Sequence, residues 1–329
     1  VTSIAGGDGD DRIVLGSAIL TGSVEGGIGR DVLVTSGGDL TGLVLTGVEV
    51  LETQGSTVTA TLAQLDAFSE ITYFDDPASA TYPVSLLVTE TGSADLSDEL
   101  GGRDVRLSLG GEGGATVTTG SGNDVVYGGS GDDVLFTGAG ADYVAAGPGN
   151  NTLVGGDGND SLYGEDGDDS LSGEAGDDTL SGGSDNDSLD GGAGNDRLID
   201  DGGDATSIAG GDGDDRVEIQ NTQSAGTLDG GAGNDVLSAW YSDLSGMTIS
   251  GFEVLETDPQ VIATLDQLDG FTRITYLDDP AYDDAVIYLQ VAGYGAPGEP
   301  HERGGRRGPM CLGGGGEGTL DAGAGNDGI

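Results

Sequence analysis

From Thr119 to Ile199 the chain reads TGSGNDVVY, GGSGDDVLF, TGAGADYVA, AGPGNNTLV, GGDGNDSLY, GEDGDDSLS, GEAGDDTLS, GGSDNDSLD and GGAGNDRLI, nine nonapeptides without a gap. The eighth position is always aliphatic: Val126, Leu135, Val144, Leu153, Leu162, Leu171, Leu180, Leu189 and Leu198. The sixth is Asp124, Asp133, Asp142, Asp160, Asp169, Asp178, Asp187 and Asp196, with Asn151 the one exception. Gly holds the fourth position except at Asp185. A nine-residue period fits neither 3.6 nor 7, so a helix would scatter these aliphatics around its surface. A strand of about three residues followed by a Gly-rich turn of about six instead brings every aliphatic to one depth in a stack of coils. Glycine in the turns permits φ > 0 and lets carbonyls converge. One carboxylate per turn completes an oxygen-only cage, which suits a hard cation such as Ca²⁺.

The pattern G-G-x-G-x-D-x-U-x resembles the calcium-binding nonapeptide of RTX, or hemolysin-type, proteins. That resemblance implies a parallel β-roll in which two nonapeptides make one coil and each ion sits between the turns of successive coils. It implies Ca²⁺ as cofactor, held by the sixth-position side chains already named, Asn151 included, and by carbonyls of the turn glycines. Those are Gly120, Gly122, Gly129, Gly131, Gly138, Gly140, Gly156, Gly158, Gly167, Gly176, Gly192 and Gly194. With ions between repeats i and i+2, the array takes about seven. Further nonapeptides begin at Gly6, Gly26, Gly210 and Gly230, and add Asp11, Asp31, Asp215 and Asp235 as ligands by the same resemblance. An EF-hand is excluded, because Ser170 and Leu171 follow Asp166 and Asp168 where that loop needs another oxygen ligand and then Gly.

Composition narrows the function classes. The 329 residues include 67 Gly, 44 Asp, 10 Arg and no Lys, for a net charge of −49. Such a surface repels phosphate, which argues against nucleic acid and anionic membranes as partners. Self-repulsion of this strength also opposes collapse without counter-ions, so a disordered tract is the reading for the metal-free state. One His, His301, and one Cys, Cys311, exclude a zinc site built on two or more His, a CxxC motif and an internal disulfide; without Lys there is no Walker-type loop or Schiff base. Ser130 and Ser184 have Gly two residues before them but Asp132 and Asn186 two residues after, so neither stands in a G-x-S-x-G elbow. No catalytic residue is assigned, and His301 and Cys311 are given no catalytic role. No apolar run approaches the ~18 residues of a membrane span, and no N-terminal signal pattern is found. Val1 is not Met and Ile329 falls inside a repeat, so the segment is expected to come from a longer chain with its targeting signals elsewhere.

A larger duplication encloses the array. TSIAGGDGDDR at Thr2 returns at Thr206, GVEVLET at Gly47 returns as GFEVLET at Gly251, and TLAQLDAF at Thr61 returns as TLDQLDGF at Thr264. The expected organisation is a short repeat pair at 1–38, a β-rich module at 39–118, the nine-nonapeptide roll at 119–200, a second short pair at 201–242, a second module at 243–318 and the start of a further array at 319–329. Alternation in VEVLET, VTATL, ITYF, VSLLVT and VRLSL predicts short strands in the first module, with one short helix at Leu62 to Phe68. The modules are read as further solenoid coils that cap the roll, with a small β-sandwich as the alternative. Asp75-Asp76-Pro77 and Asp278-Asp279-Pro280 are read as solvated turns rather than ion ligands. Pro297 to Cys311 departs in composition from its duplicated counterpart and is expected to be a divergent exposed loop, tolerant of change, or a local reading-frame error.

The fold class expected is thus all-β, a calcium-binding parallel β-roll with β-rich flanks. RTX proteins are typically exported unfolded by a type I secretion system and fold outside the cell, so the resemblance implies a secreted, extracellular or cell-surface location and that machinery as a partner. Two readings stay open for the parent protein: an adhesin or matrix protein that uses such modules as spacers and meets some cell-surface or matrix ligand, or a secreted hydrolase, protease or epimerase that carries them as a folding tail. The duplication favours the first, since a folding tail needs one array only.

Overall fold

The computed structural model describes residues 2–16, 21–73, 83–203, 206–220, 225–257 and 261–276, with the short strands Ile287–Tyr288, Gln290–Val291 and Cys311–Leu312. The Asp-Asp-Pro turns and nearly all of Pro297 to Cys311, with His301, lie outside the described residues, as does 319–329. The chain divides into two units, Val1–Ala175 and Gly176–Ile329.

The first unit is all-β apart from two one-turn helices. Its first strands alternate between two parallel sheets. Thr2–Asp8, Gly22–Ile28 and Leu43–Thr46 form one, and Arg12–Leu15, Val32–Thr35, Val50–Thr53 and Glu70–Tyr73 the other. A second pair of sheets follows, again with strands taken alternately. Gly38–Asp39, Val58–Ala60, Val84–Val88, Val105–Leu109, Val125–Tyr127, Tyr143–Ala145 and Ser161–Asp166 lie in order in one; Gly92–Asp95, Ala115–Gly120, Val134–Ala139, Thr152–Asp157 and Ser170–Ala175 in the other. Every pairing is parallel, so the described residues of 39–118 form a run of solenoid coils and not an antiparallel sandwich. The helix Leu62–Leu65 falls where TLAQLDAF predicts it. Thr61 Oγ1 accepts the Gln64 amide and Gln64 Oε1 accepts the Thr61 amide, a reciprocal cap that starts the turn. The side-chain Nε2 of Gln64 donates to the carbonyls of Leu40 and Leu43 and so ties the helix to the preceding coil.

The second unit repeats the plan. Thr179–Ser184, Arg197–Asp200, Arg216–Gln220, Val236–Trp240, Val254–Thr257 and Arg273–Tyr276 form one parallel sheet; Ser188–Ala193, Thr206–Asp212, Gly226–Ala232 and Met247–Ser250 form the other. The helix Leu265–Leu268 carries the same cap through Thr264 and Gln267.

The aliphatic ladder is the core. Val126 pairs with Val144 and Val144 with Leu162, while Leu135 pairs with Leu153 and Leu153 with Leu171, so one coil is two nonapeptides. All nine eighth-position side chains are buried. Many strands exceed the expected three residues: Thr152–Asp157 and Ser170–Ala175 run on into the next repeat, because its first glycines also pair across coils, as Gly138 does with Gly156. Gly156 has φ +115, and a Cβ there would strike the Gly138 carbonyl. Glu165 and Glu174 hold the equivalent second position with φ 79 and 73, a region costly for any residue with a Cβ. Both are exposed. Glu165→Gly and Glu174→Gly should therefore each stabilise the fold by about 1 kcal/mol, read as a higher midpoint in chemical denaturation at saturating Ca²⁺.

Candidate metal centre

The sixth-position side chains come together in single files along the edges of the coils. Strand register places each beside the same position one coil on, and the contact is a hydrogen bond from main chain to carboxylate. In the first unit the amide of Val105 donates to Asp124 Oδ1, that of Asp124 to Asp142 and that of Asp142 to Asp160, at 2.7–2.9 Å. A second file runs Ala115, Asp133, Asn151, Asp169. A third joins Asp11 to Asp31 and Asp31 to Glu49. In the second unit one file runs Asp178, Asp196, Asp215, Asp235, Glu253. Asp187 is buried, and Thr206 takes the matching position on the next coil.

Only one oxygen of each carboxylate is used in this way. In Asp11, Asp31, Asp133, Asp196, Asp215 and Asp235 the Oδ2 atom is buried and has no hydrogen-bond partner. A Cβ on Gly128, the first residue of its repeat, would lie 2.7 Å from Asp133 Oδ2, and one on Gly191 or Gly210 would lie 2.5 Å from Oδ2 of Asp196 or Asp215. The first-position glycine thus keeps open the space in front of the orphaned oxygen. Burial of this kind is costly, because an ionised carboxylate loses its hydration. It pushes Asp124 up to about 7, against the Val105 amide and the Thr119 hydroxyl, and Asp160, Asp196 and Asp215 up to about 6. Asp133, Asp142 and Asp235 are raised from the same cause.

Asn151 shows what belongs in that space. Its Oδ1 accepts the Asp133 amide like any file member, but its Nδ2 donates to the carbonyls of Gly147 and Gly149 at 2.9 and 3.1 Å. Asp has the same shape, so its Oδ2 is set against the second- and fourth-position carbonyls where Asn presents N–H groups. Acceptor facing acceptors calls for a cation. Among the described residues no three carboxylate, His or Cys side chains gather in one cluster. A cation would accordingly be held by one or two carboxylates and several carbonyl oxygens, a donor set that suits Ca²⁺. Of the turn glycines singled out from sequence, all but Gly122 have φ between +95° and +142°, and a Cβ on Gly122 would strike the Arg103 carbonyl.

Two features escaped the sequence reading. Glu49 and Glu253 end two of the files. The fifth position forms a second, exposed relay of opposite sense, in which the later amide donates to the earlier side chain, as Asn195 does to Asp177 and Asn234 to Asp214. The frequent Asp or Asn at position five was visible, but charge at an exposed turn is also what solvation alone produces.

A parallel roll whose turns present buried carboxylates and carbonyls defines a calcium-binding repeat protein. The model of the RTX calcium-binding nonapeptide repeat matches residues 3–18, 109–144, 145–180, 164–198, 172–206 and 223–243. Over these segments the chain is built of RTX calcium-binding nonapeptide repeats, and such repeats bind Ca²⁺. A search of the curated proteins returned no match.

Two predictions arise at the site. Without metal, the raised carboxyls make the fold bind more protons than the unfolded chain, whose Asp titrates near 3.8. Their favourable contribution is complete below about pH 4 and lost as pH rises through 6 to 7. Calcium requires the deprotonated form, so its affinity changes in the opposite sense. In chelator, β-signal in circular dichroism should therefore be greater at pH 4.5 than at 7.5, while the calcium midpoint at pH 5 should be at least tenfold higher than at 7.5. Asn151→Asp should add one bound ion per chain by equilibrium dialysis and reduce the residual structure seen in chelator, because two internal hydrogen bonds are replaced by a carboxylate.

Proposed function

We propose that calcium uptake by the sixth-position carboxylates is the folding step of a secreted protein, and that this region serves as a rigid spacer in an adhesin or matrix-type parent. Asp124, Asp133, Asp142, Asp160, Asp169, Asp178, Asp187 and Asp196, with Asp11, Asp31, Asp215 and Asp235, are the ligands in this reading, beside carbonyls of the turn glycines. The observation that carries it is the buried Oδ2 of Asp11, Asp31, Asp133, Asp196, Asp215 and Asp235, each without a partner, beside an amide at Asn151 that satisfies itself. Calcium supplies the positive charge that lets each carboxylate stay ionised where it is buried. The chain's own groups shape the space, exclude water and hold the oxygens in register.

The extracellular setting follows from affinity: a loop of this donor set is filled at millimolar Ca²⁺ and empty at cytosolic levels. Export in the unfolded state, as by a type I secretion machinery, fits a chain that folds only on arrival. The spacer role is supported by the duplication, which lengthens a stack of coils without adding a new site type. No residue is given a catalytic role.

Calorimetric titration of the full chain with Ca²⁺ and with Mg²⁺ tests the reading. Multiple-site uptake of Ca²⁺ with a parallel gain of β-signal, and no such gain with Mg²⁺ at the same concentration, is expected. Equal folding by both ions would contradict a calcium cage.

A further inference from the structure

The matched repeat segments stop at residue 18 and residue 243, before two short stretches that contain no nonapeptide: Gly47-Val48-Glu49 and Gly251-Phe252-Glu253. The strands that follow them stay in register with the coil before. Val32 pairs with Val50 and Val236 with Val254, which places Glu49 beside Asp31 and Glu253 beside Asp235. Each glutamate makes the bond that marks a file member. Glu49 Oε2 accepts the Asp31 amide and Glu253 Oε2 the Asp235 amide, both at 2.8 Å. The main chain agrees: the carbonyl of Glu49 accepts the amides of Ser69 and Glu70, and that of Glu253 those of Thr272 and Arg273, as Asp31 and Asp235 accept from the coil after them.

The first-position carbonyl is also reproduced. A Cβ on Gly26 would meet the Gly47 carbonyl, as one on Gly6 meets that of Gly26; a Cβ on Gly230 would meet the Gly251 carbonyl, as one on Gly210 meets that of Gly230. In a nonapeptide four residues separate the first glycine from the acid, whereas one separates Gly47 from Glu49 and Gly251 from Glu253. The pinched turn is matched by a side chain one methylene longer, so that the carboxylate still reaches the file. Gly47 and Gly251, with φ +59 and +74, make the pinch possible.

Across from each glutamate lies an oxygen with nothing to bind. Asp31 and Asp235 are both 0 % exposed, and the Oδ2 atom of each has no partner. The neighbouring acids three residues on, Glu52 and Glu256, are engaged by Arg12 and Arg216, but no basic group reaches Glu49 or Glu253 through any ion pair among the described residues. A glutamine would serve as well if only the hydrogen bond mattered, yet both copies carry the charge.

We infer that Glu49 and Glu253 are calcium ligands of a shortened site, in which Gly-x-Glu replaces the last nonapeptide and adds one ion at the end of each file, between Asp31 and Glu49 and between Asp235 and Glu253. The inference rests on the calcium reading above and extends it to coils that carry no repeat motif.

Equilibrium dialysis of the full chain against Ca²⁺ tests it, with circular dichroism at saturating Ca²⁺ to confirm the fold. Glu49→Gln and Glu253→Gln keep the oxygen that accepts the amide, and should each bind one ion fewer than wild type; the double variant should bind two fewer. Glu256→Gln should leave the count unchanged. Should a Gln variant fail to fold, Glu49→Asp and Glu253→Asp decide, since they keep the charge but fall a methylene short and should also lose one ion each. A double variant that binds as many ions as wild type with the same isotherm overturns the shortened site and leaves the nonapeptide sites standing. A wild-type chain that takes up no ion overturns the calcium reading itself, and this site with it.

Discussion

In excess chelator at neutral pH the full chain should lose most of its β-signal and expand, and millimolar Ca²⁺ should restore both. Residues 119–199 carry fifteen Asp, two Glu and one Arg, a formal charge of −16. The structure worsens this repulsion, because it buries the sixth-position carboxylates that the unfolded chain leaves in water. If an ion sits at each such turn but the one Asn151 fills, about six divalent ions bring roughly +12 and offset most of that charge. At ~1 mM free Ca²⁺ and site constants of ~0.1 mM, each site adds about 1.4 kcal/mol, and six together on the order of 8 kcal/mol. That matches the whole stability of a typical domain. At ~0.1 μM the same contribution is close to zero. A β-rich signal already present in chelator and unmoved by Ca²⁺ would refute the switch.

Leu162→Ala should cost about 3 kcal/mol in denaturant unfolding at saturating Ca²⁺. Leu162 is 0 % exposed and stands directly over Val144 in the parallel ladder. A roll this thin has one row of aliphatics per sheet, so nothing behind Leu162 can move in to fill the space. Val14, at 66 % exposed, makes the contrast: Val14→Ala should cost under about 0.5 kcal/mol. Equal losses at the two positions would mean that calcium alone, without the ladder, holds the coils.

The ladder and the files were legible because two independent chemistries recur in one register. Aliphatic residues at position eight and acids at position six, nine residues apart, admit only a coil that returns both to the same place. The helix at Leu62–Leu65 was legible for a local reason, the T-x-x-Q cap of Thr61 and Gln64. The role of Asn151 was not, since sequence shows only a missing charge; that its Nδ2 turns toward the Gly147 and Gly149 carbonyls depends on where the backbone brings them. Glu49 and Glu253 were hidden by spacing. They sit two residues after a glycine instead of five, and only strand pairing shows that a shorter turn and a longer side chain arrive at the same point. Strand length was underestimated because glycine has low strand preference, whereas here close packing of successive coils favours it: Gly138 and Gly156 pair because neither has a Cβ.

Cations should occupy the space in front of the buried sixth-position oxygens. Crystals grown in Ca²⁺ and measured at a wavelength where calcium scatters anomalously would locate the ions directly. Anomalous peaks are expected beside Oδ2 of Asp196, Asp215 and Asp235, each ringed by turn carbonyls, and none beside Asn151 Nδ2. Peaks confined to the exposed fifth-position carboxylates, such as Asp177 and Asp214, with the buried oxygens left without metal, would contradict it.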